Sequence, residues 1–251
     1  MRNRRIYIII ALLLLIMSGV SGCSRQQDPM VIYAGSALGK ALEELKTMYE
    51  KEHDVQIKMV YAGSQTLLNA IKKSGEGDIY IPGSTNYIRK EQKLFGMVVP
   101  LAQHVPVIAV HNDNPKNISS FADLAAPEMR IALGNKNMNA LGKISYKIIQ
   151  KCPYSDALKE NIVMMSSTVE ELLELAGQQE VDAIIIWQDM LKWPESSNLL
   201  PVPVPPDCLI TKEISAALIK SSSHREAPLF VEFLKEKGVG VFAGHGFPTS
   251  E

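Results

Sequence analysis

Short β-rich apolar runs alternate with amphipathic segments along this chain. Met30-Val31-Ile32-Tyr33 is followed by Ala37 to Lys51, then Val55 to Tyr61, Gln65 to Lys73, and Asp78-Ile79-Tyr80-Ile81. Alternation of this kind predicts a largely parallel sheet covered by helices. In the first amphipathic segment Leu38, Leu42, Leu45 and Tyr49 recur at three and four residues, which gathers them on one buried helix face. A second set starts near Val105 to Val110. It continues through Arg130 to Leu133, a helix from Ala140 to Lys151, Ile162-Val163-Met164, a helix from Val169 to Ala176, and Asp182 to Trp187.

The run Pro201-Val202-Pro203-Val204-Pro205-Pro206 fits neither a helix nor a central strand and predicts an extended connector. After it come a strand over Glu213 to Ile219 and a helix over Ala227 to Lys237, too little material for a third domain. The expected architecture is therefore α/β with two lobes, each a mostly parallel sheet flanked by helices. Residues 30–104 and 208–251 form lobe I, 105–207 form lobe II, and two crossings leave a ligand cleft between them.

The first residues add a different pattern. Arg2, Arg4 and Arg5 precede an apolar run from Ile6 to Met17 and the small residues Ser18 to Gly22, the layout of an export signal over residues 1–22. The run falls short of the roughly 20 apolar residues that a membrane span needs. Val20-Ser21-Gly22-Cys23 looks like a lipobox, with Cys23 as the lipidated first residue of the mature chain and residues 23–29 as a tether. The domain would then sit in the cell envelope, lipid-anchored and facing the periplasm or exterior. Without residues 1–22 the chain keeps 23 basic against 27 acidic side chains, which argues against a nucleic-acid partner. Cys152 and Cys208 sit in a compartment where a disulfide persists, and the sequence leaves open whether they pair or remain buried thiols. No Cys or His spacing points to a zinc site.

The most informative local feature is a repeat: Tyr33-Ala34-Gly35-Ser36 recurs as Tyr61-Ala62-Gly63-Ser64, each copy ending a strand and opening a helix. Two such turns on neighbouring strands converge at one end of a sheet. Free amides at a helix start, with partial positive charge, bind an anion without any lysine or arginine. The alternative is that Ser36 and Ser64 cap their own helices. Ala140 and Val169 open helices in the second set, with Ser167 and Glu170 at capping-box spacing before and within the latter. Trp187 closes a strand and carries a single N–H donor.

With these motifs the chain resembles the molybdate/tungstate-binding proteins of ABC importers from about Val31 to Pro248. The matching stretches are Tyr33 to Leu38, Gly63-Ser64, Gly77 to Ile81, Phe121 to Leu124, Arg130 to Gly134 and Gly244 to Phe247. The resemblance implies the type 2 periplasmic binding protein fold, an oxyanion as ligand, ABC permease subunits as partners, a monomer, and no cofactor or metal apart from the one in the oxyanion. It also implies the site: hydroxyls of Ser36 and Ser64, amides of Ala140 and Val169, and Trp187 where the family has a tyrosine. Pro82 to Asn86 departs from the family pattern, and Ser84 is a further candidate hydroxyl.

Two other readings stay open. The same fold can take sulfate, phosphate or ferric ion. A serine hydrolase would need a base near Ser36 or Ser64, yet neither lies in Gly-x-Ser-x-Gly, and His53, His104, His111, His224 and His245 sit in no motif, so an enzyme is not expected.

Overall fold

The computed structural model describes residues 28–137 and 140–249. The export signal, Cys23 and the tether up to Gln27 lie outside the described residues. Two five-stranded sheets make two lobes. The first has the order β2-β1-β3-β10-β4 and the second β7-β6-β8-β5-β9. The first contains β1 (Met30–Gly35), β2 (Ile57–Ala62), β3 (Ile79–Ile81), β4 (Phe95–His104) and β10 (Lys212–Ile219). The second contains β5 (Pro106–His111), β6 (Ile131–Gly134), β7 (Ile162–Ser166), β8 (Ala183–Trp187) and β9 (Leu199–Val202).

Both sheets are mixed, which refines the mostly parallel expectation. β1 pairs in parallel with β2 and β3, and β6 does so with β7 and β8. β10 runs antiparallel to β3 and β4, and β5 antiparallel to β8 and β9. The reversed strand in each sheet is the first one after a crossing between lobes. Chain entering from the other lobe starts at the cleft end, whereas a strand reached through a helix starts at the far end.

β4 is absent from the sequence-based reading. Its glycine- and proline-interrupted stretch, with Met97 and Val98 exposed, has no clean two-residue period. The proline run is also partly corrected. Pro201 lies inside β9, opposite Ala109, which is possible because β9 is an edge strand; the extended connector begins only after Val202. The final helix is shorter than expected, Glu226–Phe233, and passes through a π turn at Leu234–Gly238 into Val239–Gly244.

The helices that open at the cleft are α1 (Gly39–Glu52), α2 (Ser64–Ser74), α3 (Ala140–Lys151) and α4 (Val169–Gly177). On α1, Leu42, Leu45 and Tyr49 are buried, with Leu38 just before it, as the three-and-four spacing requires. Helix α3 presses against the end of β6. A Cβ on Gly142 would stand 2.2 Å from the Gly134 carbonyl oxygen, so only glycine permits that approach. Cys152, just past α3, and Cys208, in the return connector, form a disulfide with Cα atoms 5.3 Å apart.

Candidate functional site

The two repeated turns have nearly the same backbone. Gly35 sits at φ −61°, ψ 133° and Gly63 at φ −60°, ψ 136°. Each is the residue before its helical turn, and neither turn has a side-chain cap. Thus neither Ser36 nor Ser64 caps its own helix; glycine takes the capping position and each serine is the first residue of the turn. The pairing of β1 with β2 sets Gly35 against Ala62, so the copies lie side by side but one residue out of step. Glycine at 35 is favoured by crowding, since a Cβ there would lie 3.1 Å from the Gly83 nitrogen and 3.6 Å from Ser64 Oγ.

Ser64 is buried and held from both sides. Its carbonyl accepts from the Tyr80 hydroxyl at 2.7 Å, and its Oγ accepts from the Gly83 N–H at 3.1 Å. Burial raises the Tyr80 hydroxyl far above its ordinary range, so it remains a donor. With a lone pair of Ser64 Oγ engaged by Gly83, the hydroxyl proton is left to point elsewhere. Ser36 is exposed at the neighbouring turn.

A cleft of about 640 Å³ opens in front of these turns. Lobe I lines it with Gly35 to Leu38, Ala62 to Thr66, Gly83, Tyr87 and His104. Lobe II lines it with Asn137, Ala140, Leu141, Lys143, Ser167 to Glu170, Trp187, Met190 and Trp193. Ala140 and Val169 are the first residues of α3 and α4, where backbone N–H groups have no partner within the helix. The cap of α4 is Thr168 rather than Ser167: its side chain accepts from the Glu171 N–H at 3.2 Å. Glu171 reaches back to the Ser167 N–H at 3.3 Å and to the Ser166 hydroxyl. The cap therefore stands one residue later than the spacing suggested, because two successive residues, Ser167 and Thr168, each have an acidic residue three positions on.

Ser36, Ser64, Ala140, Val169 and Trp187 thus meet on one cleft. Ser84 does not line it. Its hydroxyl faces the Asn86 N–H at 3.4 Å, the contact of a turn serine.

Sequence reasoning missed several lining side chains, three of which carry charge, an aromatic face or a ring nitrogen. Lys143, on the first turn of α3, is exposed and brings a positive charge to the rim. The Trp193 ring lies under Lys40 of α1 at 4.2 Å, a cation–π contact between the lobes. His104, the last residue of β4, is 2 % exposed and stacks on Trp187 with centroids 4.4 Å apart and on Phe247 at 5.4 Å. Burial pushes its imidazole down to about 3, only partly opposed by the adjacent Gly83 backbone, so it is neutral. Neither ring nitrogen reaches a partner in hydrogen-bonding geometry. No signal could have found His104, since its role depends on which lobe-crossing residue ends at the cleft. Among the described residues no three His, Cys, Asp or Glu side chains gather into a metal-holding group.

A chain with this fold and this cleft is similar to several known proteins. A Haemophilus influenzae protein provisionally named a binding protein is 29 % identical over 227 residues, covering 89 % of this chain and 92 % of that one. A Bacillus subtilis protein provisionally named an ABC transporter substrate-binding lipoprotein, YvgL, is 25 % identical over 250 residues, covering 91 % and 92 %.

Solved structures share the fold at lower identity. The substrate-binding domain of a provisionally assigned molybdenum ABC transporter from Clostridium difficile has TM-score 0.75 and 21 % identity, covering 89 % of this chain and 99 % of that one. The periplasmic molybdate-binding protein of Azotobacter vinelandii has TM-score 0.71 and 14 % identity, covering 88 % and 100 %. The sulfate-binding protein SubI of Mycobacterium tuberculosis has TM-score 0.71 and 16 % identity, covering 87 % and 86 %. At these identities the structures speak for the two-lobed fold alone. The sequence profile of one family matches residues 30–248, nearly the whole described chain, and the protein belongs to the bacterial extracellular solute-binding proteins.

Proposed function

We propose that this protein is the capture component of an ABC importer for a tetrahedral oxyanion, with molybdate and tungstate as its foremost ligands. The observation that carries the reading is the convergence of four donor-bearing turns on one cleft: matched glycine–serine turns before Ser36 and Ser64, and the starts of α3 and α4 opposite. Preformed N–H and O–H groups at helix starts suit a dehydrated dianion, and charge-assisted hydrogen bonds are roughly twice as strong as neutral ones.

In this reading Ser36 and Ser64 donate their hydroxyl protons, Ala140 and Val169 donate backbone N–H groups, and Trp187 donates its indole N–H. The lobes, 30–104 with 208–251 and 105–207, close about the anion. The acylated Cys23 holds the domain at the membrane beside the permease subunits. Solved structures of the same fold are named for molybdate, for sulfate and for iron, which leaves the identity of the ligand to experiment.

Calorimetric titration with molybdate, tungstate, sulfate, phosphate and ferric citrate tests the reading. Tight one-to-one binding of molybdate or tungstate is expected, weakened about a hundredfold or more in a Ser36→Ala, Ser64→Ala double variant, since each hydrogen bond to a charged group contributes about 1.5–3 kcal/mol. Binding of sulfate or phosphate in place of both metal oxyanions overturns the ligand assignment. Undiminished binding in the double variant overturns the site.

A further inference from the structure

The two glycine–serine turns match in sequence and in backbone angles, yet their serines are held differently. Ser36 is exposed, whereas Ser64 is buried and gripped at two of its atoms by one segment, Tyr80 to Gly83. Tyr80 is the middle residue of β3, opposite Tyr33 on β1 and Ala217 on β10, and it is fully buried with its ring stacked on Phe95 at 5.5 Å. Its hydroxyl reaches the start of α2 and donates to the Ser64 carbonyl at 2.7 Å. Three residues on, the Gly83 N–H donates to Ser64 Oγ at 3.1 Å. A phenylalanine at position 80 would fill the same core without bringing a hydroxyl inside, where it must find a partner. In an α-helix the carbonyl of the first residue is already met by the N–H four residues on, and its oxygen has a second lone pair. The bond from Tyr80 therefore fixes where Ser64 stands rather than satisfying an orphan acceptor.

We propose that Tyr80 is a positioning residue of the anion site: by holding the Ser64 carbonyl while Gly83 holds the side chain, it aims the Ser64 hydroxyl into the cleft before an anion arrives. The inference rests on the oxyanion reading above and deepens it by making the two turns unequal, with a preset donor at Ser64 and an adjustable one at Ser36. Three features agree with it. Ser64 lines the cleft despite its burial. Its Oγ already accepts from Gly83, so its own proton is directed away from that wall. Gly35 closes in from β1, where a Cβ would stand 3.6 Å from the same oxygen, which limits the room for another side-chain orientation. A donor fixed beforehand loses no freedom on binding. It is also set for one oxygen position, so a change in anion size is felt more at Ser64 than at Ser36.

The test is a double-variant cycle on the full-length protein in detergent, comparing wild type, Tyr80→Phe, Ser64→Ala and the two changes together. Each is titrated with molybdate, tungstate, sulfate and phosphate. For whichever anion the wild type binds, Tyr80→Phe is expected to weaken affinity roughly three- to tenfold, the range that immobilising one side chain on binding accounts for. In the Ser64→Ala background the same change should alter affinity by less than about 1.5-fold, because the hydroxyl that Tyr80 aims is gone. A tyrosine that only supports the core would weaken binding equally in both backgrounds. That result overturns the proposal, as does binding by Tyr80→Phe within about twofold of wild type, and either leaves the oxyanion site standing. A wild type that binds none of the four anions, or a Ser64→Ala variant that binds as tightly as wild type, overturns the oxyanion reading and this proposal with it. Should Tyr80→Phe fail to fold, hydrogen exchange at the Gly83 amide decides. Protection in the anion-free wild type that is lost in Ser64→Ala supports the preset hydroxyl, and any other pattern overturns it.

Discussion

Asp189 and His104 are both buried without hydrogen-bond partners, and they pull stability in opposite directions with pH. Burial raises the Asp189 carboxyl to about 7, against an ordinary value near 3.8. The folded state therefore favours the protonated acid, so stability is full below the unfolded value and is lost as pH rises from about 4 towards 7. Asp189→Asn is expected to raise the unfolding midpoint at pH 8 by an amount worth a few kcal/mol and to flatten that decline, as pH-dependent urea denaturation would reveal. For His104 the sign is reversed. Its folded value, about 3, lies below 6.5, so its share of stability is present above 6.5 and lost as pH falls towards 3. His104→Phe should remove that acid sensitivity. Lys143, at the cleft rim, acts at longer range. Its replacement by Gln should slow anion association a few-fold at low salt and have little effect at high salt, read by stopped-flow titration at two ionic strengths.

At the scale of elements, the cleft depends on how closely α3 packs against β6. Gly142→Ala forces a methyl into the Gly134 carbonyl, and a loss of about 1–3 kcal/mol in urea unfolding is expected, with weakened anion binding because the amide of Ala140 shifts with the helix. The far end of α3 is held by the Cys152–Cys208 disulfide, which closes a loop of sequence separation 56. Chain entropy puts its contribution at roughly 4 kcal/mol, so a Cys152→Ser, Cys208→Ser variant should unfold at markedly lower denaturant. The turns before α1 and α2 show what local pattern conveys and what it does not. The repeat announced two equivalent turns, and their dihedral angles agree within a few degrees. The alternative in which the two serines cap their own helices fails for both, and Ser167 was one residue early, because a cap is decided by which residue leaves the helical conformation. Several neighbouring Ser, Thr and Gly residues satisfy the same spacing rule.

For the whole molecule, the two sheets face each other across crossings at His104-Val105-Pro106 and after Val202, with Lys40 laid over Trp193 between them. Closure on an anion should reduce the radius of gyration in small-angle scattering, and the Ser36→Ala, Ser64→Ala variant should stay expanded at the same anion concentration. The alternation of apolar runs and amphipathic helices determined the two-lobed α/β class by itself, since burial periodicity is written locally, residue by residue. The glycine–serine repeat likewise located the two turns that line the cleft, because glycine and a helix start act within a few residues of each other. What only the tertiary structure decided were the relations between distant segments. These are the reversal of β5 and β10, the place of β4, the pairing of Cys152 with Cys208, the exclusion of Ser84 from the cleft, and the enclosure of His104 between Trp187 and Phe247. Each depends on which remote surfaces meet, and that is settled by the packing of the whole chain around two cores rather than by any spacing along it.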